Sequence, residues 1–128
     1  MTGMTMDEQV AGVGVVRMHS VQGAVTVTYQ TNQTWTSTWN VVVEGRAPNG
    51  DLLAHGINGT GSGRYATGSG QLSETNVVSS GWNYFWRNGV PVNQVSGPIL
   101  ADGVASYSCS AQSLVINGPS YHEEFKRA

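Results

Sequence analysis

Charge is scarce in this chain, and cysteine nearly absent. Lys, Arg, Asp and Glu make up 11% of its 128 residues, against roughly 25% in an average soluble protein. The six basic residues, Arg17, Arg46, Arg64, Arg87, Lys126 and Arg127, are scattered. No basic stripe is therefore available to displace counterions from nucleic-acid phosphate, or to hold an anionic membrane surface. Cys109 is the only cysteine, which excludes an intrachain disulfide. No apolar run approaches the roughly 18–20 residues of a spanning helix. Met1–Glu8 lacks the basic and apolar regions of a signal peptide. The expectation is a cytoplasmic protein with neither nucleic-acid nor membrane partners, so the N-x-S/T sequences at Asn32 and Asn58 carry little meaning.

What the chain has instead is period-two alternation. Trp35, Ser37, Trp39, Val41 and Val43 fall on one face, with Thr36, Thr38, Asn40, Val42 and Glu44 opposite. Val25, Val27 and Tyr29 repeat the pattern. A helix would spread these residues around its circumference, whereas a strand gathers them on one side. Thr, Val and Trp also favour a pleated, half-buried surface.

Turn chemistry punctuates the pattern. Asn-Gly occurs at Asn49-Gly50, Asn58-Gly59, Asn88-Gly89 and Asn117-Gly118, a dipeptide suited to type I′ hairpins. Pro48–Asp51 and Arg87–Val90 are the strongest hairpin candidates. Expected strands are Val13–Met18, Ala24–Gln30, Thr34–Arg46, Leu52–Ile57, Arg64–Leu72, Val77–Ser80, Trp82–Arg87, Val92–Val95 and Val104–Ile116. The last is too long for one regular strand, and its apolar face switches near Ser113, so a bulge or tight turn is expected there. Gly59–Gly63 reads as a flexible loop. Residues 1–9 and 119–128 read as peripheral, with Tyr121–Arg127 a short helix candidate. The whole is expected to be one all-β domain, a small antiparallel barrel of roughly eight strands, or alternatively a sandwich. The barrel is favoured because closure removes edges that so few charges protect.

Several chemistries lack their motifs. The glycine-rich stretch Gly56–Gly70 is followed by neither Gly-Lys-Ser/Thr nor a helix, so it is no phosphate cradle. No G-x-S-x-G elbow is present, and Cys109, beside Tyr107 and Ala111 on one face, reads as a small buried hydrophobe. No ligand-spaced cluster of His, Cys, Asp or Glu appears, so neither metal nor cofactor is expected. His19 and His122 read as solvated, the latter in a polar tail with Glu123 and Glu124. Any of Glu44, Glu74 and Asp102 would have its pKa raised if it entered a cavity.

The candidate site residues are aromatic. Trp35/Trp39 and Trp82/Trp86 are i, i+4 pairs, each on one strand face. They pack a core, or they wall a cavity together with Tyr107. Tyr29, Tyr84 and Tyr107 each place a hydroxyl on an apolar face, where it needs a partner. His55 shares a face with Leu53 and Ile57, which makes it either a structural histidine or a general acid–base group. Tyr29, Tyr84 and His55 are thus the catalytic candidates.

The expected architecture resembles that of small barrels used as lipophilic carriers and as cofactor-free cyclases or isomerases, although architecture does not fix function. The leading expectation is an aromatic lumen that binds a small apolar molecule, with possible turnover of it. A carbohydrate-binding module is the alternative, on the strength of the Trp pairs and abundant Asn, Gln, Ser and Thr. A self-assembling homo-oligomer is the third.

Overall fold

The computed structural model describes residues 3–127. Among them are nine strands: β1 (Gly3–Val10), β2 (Gly14–Tyr29), β3 (Thr34–Arg46), β4 (Leu52–Gly68), β5 (Gln71–Arg87), β6 (Val90–Gly97), β7 (Gly103–Cys109), β8 (Ser113–Asn117) and β9 (Tyr121–Lys126). Eight of them close an antiparallel barrel in the order β1-β2-β3-β4-β5-β7-β8-β9, and β6 lies outside the ring. No helix long and apolar enough to cross a membrane occurs among the described residues.

Within both terminal segments, Gly3–Val10 and Tyr121–Lys126 belong to the barrel rather than its periphery, while residues 1, 2 and 128 lie outside the described residues. β1 pairs with β2 and β9, Met4 opposite Glu123 and Thr5 opposite His122. The helix considered for Tyr121–Arg127 is instead β9, because Tyr121, Glu123 and Phe125 share one face of a strand that pairs on both edges. A pairing segment satisfies its backbone through neighbours far away in sequence, which its own polarity does not reveal.

Gly59–Gly63 likewise is strand, not loop. β4 runs unbroken from Leu52 to Gly68 and pairs with β3 from Leu52 to Arg64. The hairpin to β5 turns at Ser69-Gly70, both at positive φ (53° and 75°), the conformation that the right-handed twist of a two-residue hairpin demands. Asn88-Gly89 (51° and 78°) turns β5 into β6 in the same way, as its sequence suggests. The expected break near Ser113 is a tight turn, in which Ser110 N donates to Ser113 O at 2.9 Å. β2 is one strand where two were expected. It carries a bulge between Ser20 and Gln22, where its register with β3 shifts, and it pairs with β3 on either side.

β5 changes partner midway. Gln71–Glu74 pairs with β7, whereas Gly81–Arg87 pairs with β6. Over the gap, the loop that joins β6 to β7 supplies the hydrogen bonds. Ser79 Oγ accepts from Ile99 N and Leu100 N, both at 2.9 Å, and Asp102 Oδ1 accepts from Val77 N at 2.9 Å.

Inside the barrel, the face predicted for β3 is inward and buried from Trp35 to Val43. Val16, Met18, Val25, Val41 and Val43 are the most deeply buried of the core. With Leu53 and Ala47 they fill the half of the lumen nearest the β3–β4 turn.

Candidate functional site

The other half of the lumen is not filled. A cavity of about 420 Å³ opens there, walled by Val27, Trp35, Trp39, Leu72, Ile116 and other apolar side chains. That volume falls within the roughly 300–1,000 Å³ of small-molecule pockets. Loop residues Ile99 and Leu100 cover one side. They fit because the inner face of β4 carries glycines: a Cβ on Gly61 would lie 2.6 Å from Leu100 Cδ1, and one on Gly59 would lie 3.0 Å from Ile99 Cδ1.

The indoles are anchored rather than adrift. Trp39 Nε1 donates to Ser37 Oγ at 3.1 Å and Trp35 Nε1 to Arg64 O at 3.3 Å. Each N–H is therefore satisfied inside the protein, and the ring faces supply the apolar wall.

Ionisable side chains from three strands and a loop line the same cavity: Tyr29 from β2, Glu74 from β5, Tyr121 and Glu123 from β9, and Asp102 from the β6–β7 loop. Tyr29 OH donates to Glu74 Oε1 at 3.4 Å. Burial, reinforced by the negative charge of Glu74, pushes Glu123 up to about 7. Burial also raises Glu74, against a smaller opposing effect of the Tyr29 hydroxyl. Both tyrosines are raised, first by burial and then by the two carboxylates. Two acids that cannot comfortably ionise together hold an exchangeable proton near neutrality.

The candidates from sequence separate into three places. Trp35, Trp39 and Tyr29 meet at the cavity. Tyr107 faces inward on β7, opposite Ile116, but packs against the core outside the cavity wall. His55 is inward and buried, yet it too lies off the cavity wall. Its Nδ1 bonds Glu8 Oε1 and its Nε2 bonds Asn83 Oδ1 at 2.7 Å. With both nitrogens engaged, it clamps β1, β4 and β5 together. Cys109 is exposed rather than buried.

Trp82, Tyr84 and Trp86 are not lumenal. Phe85 sits opposite the buried His55 and Asn83 opposite the buried Ile57, so the odd-numbered side chains point in and the even-numbered ones point out. Trp82 is 41% exposed. The three rings form a ladder on the outer face, with centroids 6.0 and 6.1 Å apart and planes within 26°. Trp86 lies across Gly56, where a Cβ would be 3.1 Å from Cζ3 and Cη2.

Sequence reasoning missed Glu123 and Tyr121 and left Glu74 unplaced. The signal was present as the alternation Tyr121-x-Glu123-x-Phe125, hidden by the charged residues between. Among the described residues no group of three or more His, Cys, Asp or Glu is arranged to hold a metal ion. The fold and site define an eight-stranded antiparallel barrel with one end packed and the other hollow and acid-lined. The sequence matches no protein-family model and no curated protein.

Proposed function

We propose that the chain is a small-molecule-binding barrel whose hollow end seats a mainly apolar ligand. The observation that carries this reading is the cavity itself, with two indoles, two phenols and three acidic side chains in its lining. A catalytic form would need no cofactor. Glu123, titrating near neutrality, suits a group that both takes and returns a proton. The Tyr29 hydroxyl, which donates to Glu74, would hold that second carboxyl in place beside it. Isomerisation or cyclisation of a substrate held in a reactive conformation is the chemistry such a set serves.

The test uses Trp82→Phe/Trp86→Phe, so that emission reports only Trp35 and Trp39. Titration with neutral aromatic and isoprenoid alcohols is expected to change that emission saturably. Ala105→Phe, which places a ring in the cavity, is expected to abolish the change while the far-ultraviolet circular dichroism is kept. No saturable response, or binding indifferent to Ala105→Phe, overturns the proposal.

The outer ladder supports a second reading, a surface for neutral glycans. Flat rings stack on sugar faces, and uncharged hydrogen-bonding side chains flank these rings. Asn58 and Ser96 lie opposite Trp82, and Gln94 lies opposite Tyr84. Retention on polysaccharide affinity gels is expected, and Trp82→Ala/Trp86→Ala is expected to remove it. A wild type that elutes unretarded from every gel ends this reading.

A further inference from the structure

Among the described residues, the ionisable side chains that line the cavity are all acids: Glu74, Glu123 and Asp102 with the phenols of Tyr29 and Tyr121, and no Lys, Arg or His. Asp102 is engaged by the backbone of Val77 and Glu74 by the Tyr29 hydroxyl. Among the described residues neither Glu74 nor Glu123 has a salt-bridge partner. The remaining wall is apolar or aromatic, and the faces of Tyr29, Trp35, Trp39 and Tyr121 surround the same space.

Resting on the lumenal reading above, we propose that the ligand is a cationic amphiphile. Its aromatic or hydrocarbon body lies between Trp35 and Trp39, and its protonated amine meets Glu74 and Glu123. Three physical effects favour that class. A cation relieves the repulsion between two carboxylates held in an apolar enclosure. Aromatic faces attract a desolvated ammonium through their quadrupoles. The N–H donors of the ammonium give each carboxylate charge-assisted hydrogen bonds in place of the water lost on burial. A fatty acid or other anion meets the opposite on every count, since it adds negative charge beside these carboxyls.

The experiment compares three probes of one shape by calorimetry at pH 7.5: 1-naphthylmethylamine, 1-naphthalenemethanol and 1-naphthoic acid. The amine is expected to bind about tenfold or more tightly than the alcohol, and the acid is expected not to bind. Glu74→Gln/Glu123→Gln is expected to bring the amine down to the affinity of the alcohol and to leave the alcohol unchanged. Because Gln removes a repulsion, that variant is expected to unfold at no lower temperature than the wild type, so loss of amine binding is not loss of fold. Equal binding of amine and alcohol, or an amine affinity indifferent to the two Gln substitutions, overturns the cationic class and leaves the lumenal site standing. Failure of all three probes to bind overturns both.

Discussion

At the scale of single residues, His55 is a buried polar group held on both sides of its ring. Its ring is stacked on Phe85 at 4.4 Å, and both nitrogens face acceptor oxygens, of Glu8 and Asn83. Only the imidazolium donates to both. Burial alone would lower the pKa of His55, but the hydrogen bond and charge of Glu8, helped by Asn83, outweigh it and the net shift is upward. A folded pKa above the unfolded value of about 6.5 means that the clamp contributes fully below that pH. Its contribution is lost as pH rises through the folded pKa. Urea denaturation at pH 5.5, 7 and 8.5 is therefore expected to show stability from this group falling with pH. His55→Ala strands the Glu8 carboxylate and is expected to cost about 1–3 kcal/mol at pH 6. His55→Leu combined with Glu8→Leu is expected to cost less than the single change and to flatten the pH slope. A single variant as stable as the wild type would show that the clamp contributes nothing.

At the scale of elements, β4 and β5 are built around missing side chains. Gly59 and Gly81 are directly opposed in register, and a Cβ on either would strike backbone: Ser80 O at 2.3 Å, or Asn58 O at 2.1 Å. At Gly61 the nearest atom is instead the tip of the Leu100 side chain, which can swing aside. Denaturant midpoints should separate the two cases. Gly59→Ala is expected to destabilise by about 1–3 kcal/mol, as overpacking against backbone does. Gly61→Ala is expected to stay within about 1 kcal/mol of the wild type and to shift the loop over the cavity. Equal losses at the two positions would contradict this account of the glycine stripe. The same stripe explains how a glycine-rich run becomes regular strand. Its glycines serve close packing with Ile99, Leu100 and Trp35 rather than freedom of the chain.

At the scale of the whole molecule, closure divides the aromatic residues between two environments. Trp35 and Trp39 are 2% and 8% exposed, whereas Trp82 is 41% exposed, although both pairs share one spacing and one kind of strand. Alternation is a local property of the chain, so the inward face of β3, the hairpins at Pro48–Asp51 and Asn88-Gly89, and the all-β class could be read directly. The barrel is favoured over a sandwich only because so few charges protect an open edge. Which face of β5 turns inward depends on its register with His55 and Ile57 of β4, a pairing no local pattern specifies. The acidic end of the cavity depends on still longer range, because β2, β5 and β9 bring Tyr29, Glu74 and Glu123 together only when the ring closes. The sequence by itself determined the all-β class, several turns and one buried face, since each follows from residues two to four positions apart. Only the tertiary structure decided which tryptophans enclose a hollow and which carboxyls enter it, since space and desolvation belong to the assembled barrel and not to any one strand.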